Sequence, residues 1–454
     1  MLAVVCFHLA YTSIKFPALG LFIFGYAYFL VQLTHQPTIR RAFYFGLATG
    51  FLCDAPQLFF FWKIFSVAAI VLWLIAGFWI GLFTAISCGC ILRWGKAKTM
   101  WLIPIIWTGL EYFRSELYYL KFSWLNVGYA LPIGSAIFGM YGVGFFVFAI
   151  IIVIYYWRAF KVTWFETIII LGILFIVLAL YLSTLAKSKW KMSQPITLVG
   201  IQMEFPPENA IPKMLNNALT KNTNAPIFVL SEYTLDGGVP DSLKNWCREH
   251  SRFLIVGGKD VVTNDVYYNT AFVVGTNGEM IFKQAKCVPI QFFKDGLPAP
   301  KQEIWNSPFG KIGICICYDL SYTRVTDELV RQGTQLLVVP TMDVEEWGRH
   351  EHELHSRVAP VRAMEYGIPI FRVASSGVSQ AVSSDGSVVA KTSIGGNGDI
   401  FSAQLRLPLR GPLPLDRFFA PICTAMTAIV LMLLLLSAWR NHRAIQPPPT
   451  TKSS

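Results

Sequence analysis

Charge is scarce in this chain. Of 454 residues only 14% are Asp, Glu, Lys or Arg, while 54% are hydrophobic. That is too apolar for a soluble enzyme throughout and too charged for a pure membrane bundle, so a mixed chain is expected. The nine cysteines lack order: they show no C-x-x-C spacing and no matching histidine set, which argues against zinc and against a disulfide framework. No glycine-rich loop follows a strand, so nucleotide binding is unsupported. The net charge of +11 comes without a basic stripe or a stacking motif, so nucleic acid is not an expected partner. The N-terminus lacks a basic start and a small-residue cleavage site, and is not read as a cleaved signal peptide. No metal and no cofactor are expected.

What the chain does have is distributed unevenly. A hydrocarbon core of ~30 Å needs ~20 apolar residues as helix. Candidate spans lie at 1–14 (short), 16–33, 41–61, 65–92, 97–113, 134–157, 164–186 and 417–439. This divides the chain into a bundle of about seven spans over 1–190, a globular domain over 195–412, a final span over 417–439 and a polar tail over 440–454. The basic residues decide sidedness. Arg40, Arg41, Arg93, Lys96, Lys98, Arg158, Lys161, Arg440 and Arg443 all fall on one side, which the positive-inside rule makes cytoplasmic. Lys187, Lys189 and Lys191 dissent, but long domains translocate regardless of flanking charge. The globular domain is therefore expected outside, tethered at both ends. One outer loop, Trp107-Thr-Gly-Leu-Glu111-Tyr-Phe-Arg114 with Phe122-Ser-Trp124-Leu-Asn-Val-Gly128-Tyr129, reads either as an aromatic interface belt or as a polar, aromatic floor under that domain.

In the globular part, apolar runs read as strands at 195–201, 225–230, 253–257, 270–275, 311–316, 335–340 and 368–373. Helical stretches fall at 213–222, 243–250, 326–332 and 354–366. The alternation argues a layered α/β domain. Glu232, Lys286 and Cys317 each stand where a strand runs out, and strand ends are where α/β folds assemble sites. Taken singly they read as a helix-start acid, a surface lysine and an inert thiol. Together they are the set that thiol acylation needs: a carboxylate to take the thiol proton and a fixed cation for the oxyanion. A thiol nucleophile held at a membrane suggests acyl chemistry on lipid. Cys315 lies on the same run, one pleat deeper, and is read as core. His350, His352 and His355 look metal-like in spacing, but no H-E-x-x-H pattern completes them, and a solvated or packing role is expected.

Glu…Lys…Cys in this order, with Ile316-Cys317-Tyr318-Asp319 at the nucleophile, resembles the nitrilase, or carbon–nitrogen hydrolase, superfamily. With spans on both sides, and with the Trp107–Arg114 and Phe122–Tyr129 segments, the chain is similar over nearly its whole length to the apolipoprotein N-acyltransferase family. His355, Arg362-Ala-Met-Glu365, Pro369, Arg372 and Gly377 follow the same pattern. Departures are Ser231-Glu232 for Pro-Glu, Asp319 for glutamate, and Lys294 where the lysine segment has its last glutamate. Asp343 and Trp347 in Met342-Asp-Val-Glu-Glu-Trp347 match a segment read Asn-Asp-Ala-Trp. Lys286 is the lysine if Phe292 is matched, with Lys283 in reserve; matching Val288-Pro289 instead puts Gln284 there.

The resemblance implies a polytopic α-helical membrane domain, an extracytoplasmic α/β nitrilase-like domain (an α-β-β-α sandwich) and a C-terminal transmembrane helix. It implies a bacterial cytoplasmic-membrane enzyme that moves a fatty acyl chain from a phospholipid donor to the α-amine of an apolipoprotein acceptor through a Cys317 thioester. Glu232 would be the base and Lys286 the oxyanion cation. Tyr318, Asp319, Trp347, Phe292 and Trp124 would bind substrate, with Ile290-Gln-Phe292-Phe293 as a lid dipping into lipid. A monomer is expected. A membrane-tethered amidase or nitrilase using water, and a catalytically dead scaffold, are the rival readings.

Overall fold

The computed structural model describes residues 1–12, 17–160, 192–263, 265–408 and 413–445. The expected span at 164–186, Lys161, Lys187, Lys189, Lys191 and the tail beyond 445 lie outside the described residues.

Apolar helices fill the N-terminal part: Leu2–Tyr11, Phe22–Leu33, Ile39–Gln57, Ala68–Trp94, Ile103–Tyr112 and Ser135–Phe160, with Asp416–Ile445 joining them from the other end. Among the described residues three stretches are long and apolar enough to cross a membrane: Ala68–Trp94, Ser135–Tyr155 and Asp416–Arg440. Several expected spans are shorter or broken. The second begins only at Phe22, after a 3-10 turn Pro17–Leu21. The third stops at Gln57, just past Pro56, and resumes as Phe60–Phe65. The fifth starts as a short helix Lys96–Thr99 and a 3-10 turn Met100–Leu102, with Pro104 in the first turn of its regular part. Proline is tolerated there because it removes no helical hydrogen bond. Helices Ile39–Gln57 and Ala68–Trp94 cross closely where Gly46 and Gly50 face Gly77 and Gly81, the small-residue contact by which membrane helices pack.

The globular part is two six-stranded sheets. The first holds β1 (Met192–Met203), β2 (Ile227–Leu230), β3 (Phe253–Thr263), β4 (Val266–Val274), β5 (Met280–Ala285) and, last in sequence, β12 (Asn397–Pro408), in the order β12-β1-β2-β3-β4-β5. The second holds β6 (Ile304–Ser307), β7 (Gly310–Ile314), β8 (Leu336–Thr341), β9 (Ile370–Ala374), β10 (Gln380–Val382) and β11 (Val388–Lys391), in the order β11-β10-β9-β8-β7-β6. Each sheet is parallel at its centre, β1-β2-β3 and β7-β8-β9, and antiparallel at its flanks. The central strands are near-continuous apolar runs buried throughout, as strands covered on both faces must be.

The inner faces meet: Phe371 stacks on Phe401 at 4.8 Å. Helices Ile211–Lys221 and Asp241–His250 cover the outer face of the first sheet through Leu215, Ala218, Leu243 and Trp246. Thr323–Arg331 and Val358–Tyr366 contribute to the layer over the second through Leu329, Val330, Val361 and Tyr366. The result is an α-β-β-α sandwich. The buried apolar cluster runs unbroken from Phe7 and Tyr26 in the bundle, through Trp107 and Trp124, to Ile314 and Val338 between the sheets.

Candidate active site

Strand β7 stops at Ile314, earlier than expected, and Cys317 opens a 3-10 turn, Cys317–Ser321. Cys315 and Cys317 therefore do not share a strand face. Cys317 has φ +52, a left-handed conformation uncommon for a non-glycine residue. Strain of this kind persists only where surrounding structure over-determines it. Here the turn is held by Asp319, whose carboxylate accepts from the backbone N–H groups of Ile316 at 3.2 Å, Cys287 at 3.0 Å and Val288 at 2.7 Å. Asp319 thus clamps the Cys317 turn to the Lys286 segment. It was expected to bind substrate, yet its oxygens are spent on backbone and it does not line the cavity described below.

Three elements converge on Cys317. Glu232 follows β2, Lys286 follows β5, and Met342 follows β8. Lys286 is fully buried, and its Nζ lies 2.9 Å from Glu232 Oε1 and 2.7 Å from Asp295 Oδ2. Asn269 on β4 ties the two acids together, donating to Glu232 Oε1 at 2.6 Å and to Asp295 Oδ1 at 2.8 Å. The Met342 N–H donates to Glu232 Oε2 at 2.7 Å, and Cys317 Sγ–H donates to the Met342 carbonyl at 3.7 Å. Tyr233 O–H and Ile290 N–H complete the shell of Asp295.

Two carboxylates share one ammonium, and their environments divide them. Burial alone would push Lys286 down, but Asp295 and Glu232 more than reverse this and hold it well above the ordinary lysine range. Asp295 is pulled below its usual value, since Lys286 and several hydrogen bonds outweigh its burial. Glu232 is pushed up by burial and by the Asp295 charge, with Lys286 opposing. Asp295 is therefore the ionic partner of Lys286, which leaves Glu232 able to take a proton. Burial and Glu232 push the Cys317 thiol well up, with Lys286 opposing, so the resting group is a thiol. Such a divergence between neighbouring acids is the pattern by which acid and base roles are separated.

Beside Cys317, Tyr318 opens onto a largely apolar cavity between the sandwich and the bundle, also lined by Trp124, Phe292, Trp347, Arg114 and Glu351. Trp124 comes from the outer loop, which acts as the floor under the domain. Its indole donates to Ser321 Oγ at 2.9 Å, stacks on His355 at 4.4 Å and meets Tyr318 edge-on at 5.9 Å. Tyr318 O–H donates to the Lys121 carbonyl of the same loop at 2.7 Å. Phe292, 67% exposed at φ +71, leans on Phe65 of the bundle at 5.8 Å, and Phe293 bridges Phe65 to Trp347. Four expected binding residues, Tyr318, Trp347, Phe292 and Trp124, thus share one cavity. Lys283 lies away from the site, paired with Asp260 at the surface.

Asp343, Glu351 and His355 bring one potential metal-ligand atom each within 4.8 Å of the others. Arg372 already stands in that place, its Nη2 2.6 Å from Asp343 Oδ2 and 3.0 Å from His355 Nδ1, so the group is a buried ion-pair network and does not fit a metal. Asp295, Asn269 and Glu351 are the site residues that sequence reasoning missed. Asp295 carried a signal: it is the acid next to Lys294, one residue beyond the spacing of the family motif.

Residues 182–414 match the carbon–nitrogen hydrolase family. The chain belongs to that family. Residues 3–153 match the apolipoprotein N-acyltransferase N-terminal domain, so this carbon–nitrogen hydrolase carries a membrane domain of that type. An apolipoprotein N-acyltransferase of Geobacter metallireducens is 22% identical over 95% of this chain and 94% of its own. A deaminated glutathione amidase of Dictyostelium discoideum is 25% identical over 23% of this chain and 41% of its own. The chain spans about two-fifths of the length of the amidases it matches. Among solved structures, a carbon–nitrogen hydrolase from Helicobacter pylori aligns with 51% of this chain and 93% of its own, at 17% identity and a TM-score of 0.41.

Proposed function

We propose that the protein transfers a fatty acyl chain from a phospholipid to the α-amino group of the lipid-modified N-terminal cysteine of an apolipoprotein. The observation that carries this is the Glu232–Lys286–Asp295 cluster behind Cys317, set beside an apolar cavity walled by membrane helices. Glu232 takes the Sγ proton as the thiolate attacks the donor ester carbonyl. Two Lys286 N–H groups are held by carboxylates, and the ammonium offers a third to the developing oxyanion. Collapse forms the thioester, and the departing lysophospholipid oxygen takes the proton back from Glu232. The acceptor amine then attacks the thioester, Glu232 takes its proton and passes it to the departing Cys317 sulfur, and the amide leaves with the thiol restored. Burial of Cys317, 2% exposed, keeps water from competing. Water as acceptor, as in a membrane-tethered amidase, is the second reading, favoured only by the short matches to amidases.

In this reading 1–190 is the bundle, 195–412 the catalytic domain and 417–439 the closing span, with 440–454 cytoplasmic. In the same reading the protein is a monomer in a bacterial cytoplasmic membrane with its catalytic domain outside, an orientation that the basic loops support. Donor and acceptor both lie in the membrane plane, which raises their effective concentration at the site. Incubation with phospholipid and no acceptor tests the proposal. An acyl group should accumulate on Cys317, be released by hydroxylamine, and be absent from Cys317→Ser, since a hydroxyl is much harder to deprotonate. Cys315→Ala should retain it. A thioester mapped to Cys315, or full transfer by Cys317→Ser, would refute the mechanism.

A further inference from the structure

Glu351 lines the cavity beside Trp124 and Trp347, is 1% exposed, and neither of its carboxyl oxygens has a hydrogen-bond partner among the described residues. Buried polar atoms are rarely left so. Its neighbours compound the shortage. His355 Nδ1 lies 2.7 Å from Asp343 Oδ1, which places the ring proton there and leaves Nε2, also unpartnered and buried, with a bare lone pair. His352 Nε2 lies 3.0 Å from the Val344 carbonyl, so its proton is on that nitrogen, and Nδ1, again unpartnered, is an acceptor. The ring nitrogens nearest Glu351, at 3.6 and 3.7 Å, are too far for hydrogen bonds and already donate elsewhere. Glu351 is thus a buried carboxyl on the cavity wall with no hydrogen-bond partner among the described residues, and the two histidines beside it direct their ring protons elsewhere.

A buried carboxyl with both oxygens unpartnered asks for a cation that carries N–H groups. The Asp343 side of the cluster is already neutralised by Arg372, so the deficit is on the Glu351 side, toward the cavity. We infer that Glu351 is the anchor of a binding site for a primary ammonium group on a substrate in this cavity. Burial and Asp343, opposed by Arg372, push the Glu351 carboxyl well up. The empty site is therefore uncharged, and the acid ionises against the arriving cation. This rests on the acyl-transfer reading for its choice of ligand. Two substrates in that reading bear the group: a phospholipid with an ethanolamine headgroup and the acceptor's α-amine.

The test is alkylation of Cys317 in the full-length protein in zwitterionic detergent, with dodecylammonium and dodecanol as protecting ligands. In the wild type, dodecylammonium should protect at a concentration at least about tenfold lower than the alcohol, the size expected of one charged hydrogen-bonded contact. In Glu351→Gln that gap should close. Equal protection in the wild type, or the gap retained in the variant, overturns the proposal. Should the variant not fold, carbodiimide coupling of dodecylamine to the wild type decides: an amide on Glu351 supports the site, and coupling at Asp54 across the cavity overturns it. The source follows from which Michaelis constant Glu351→Gln raises: that for thioester formation from an ethanolamine-headgroup donor relative to a glycerol-headgroup donor, or that for the acceptor in transfer. Failure of the acyl-transfer reading is separately visible, as absence of a thioester from either donor while protection persists.

Discussion

Lys286 is a cation with no contact with water, held between two acids that do different work. Lys286→Ala should slow thioester formation by on the order of 2–4 kcal/mol of transition-state stabilisation, as loss of an oxyanion donor does elsewhere. Lys283→Ala should change the rate little, because its surface pair with Asp260 is of the kind worth ~0–1 kcal/mol. Asp295→Asn makes a sharper test. The Asp295 charge helps hold Glu232 up, so its removal lets the Glu232 carboxyl fall. The acid limb of the rate–pH profile for thioester formation should then move to lower pH. Asp319 makes a prediction about stability. Burial, opposed by three backbone amides and by Lys286, raises its carboxyl from 3.8 to about 6. The folded state thus binds more proton than the unfolded state in that window, and stability falls as pH rises through it, by about 3 kcal/mol from this group. Thermal unfolding in detergent should show the wild type losing stability relative to D319N between pH 4 and pH 7. Glu232, Cys317 and Lys286 were legible because each is a chemically odd residue at the end of an apolar strand. Asp295 and Glu351 were not. Their roles come from the burial of a loop and of a helix face: the one local signal for Asp295 is its place beside Lys294, one residue past the motif spacing, and Glu351 has none.

At the scale of elements, one junction fixes the bundle to the sandwich. Helix Ser135–Phe160 is kinked at Gly139, φ +72, and a Cβ there would run into the Asp416 carboxylate. Asp416 accepts from the Tyr141 N–H at 3.0 Å, and Glu365 accepts from the Met140 N–H at 2.6 Å. Arg417 then bridges Asp416, Asp327 and Glu365, while Arg362 pairs with Glu365 at 2.5 Å. Gly139→Ala combines a left-handed backbone with this collision and should lower the thermal unfolding midpoint in detergent, at a cost of more than about 1 kcal/mol. The central strands β2, β3, β8 and β9 were readable as apolar runs. The short strands β10 and β11 at one end of the second sheet were not: three and four residues long, they carry too little pattern. The alternating exposure of β12 is plain once its partner β1 is known, but its register depends on a strand some 200 residues earlier. The membrane helices were located by their apolar content and misjudged in length wherever proline or a 3-10 turn interrupts them.

For the whole molecule, the basic loops predict that a reporter fused after Lys191 behaves as extracytoplasmic and one fused after Arg443 as cytoplasmic. The reverse result would put the catalytic domain on the wrong side for its proposed acceptor. The composition break near residue 190 suggests a domain that could be cut out and studied in solution. The junction says otherwise. Excising 192–408 would strip Glu365 and Asp327 of Arg417, and Glu365 of the Met140 amide, and would uncover Tyr318 and Ser321 where the outer loop now binds them. Breaking a buried ion pair by removing one partner costs about 3–5 kcal/mol, a large share of the stability of a single domain. The excised piece should therefore aggregate or lack a cooperative unfolding transition by circular dichroism. The catalytic half is modular in its sequence and not in its thermodynamics: its buried acids find their partners on helices Ser135–Phe160 and Asp416–Ile445, so the unit expected to survive purification in working order is the domain together with those helices.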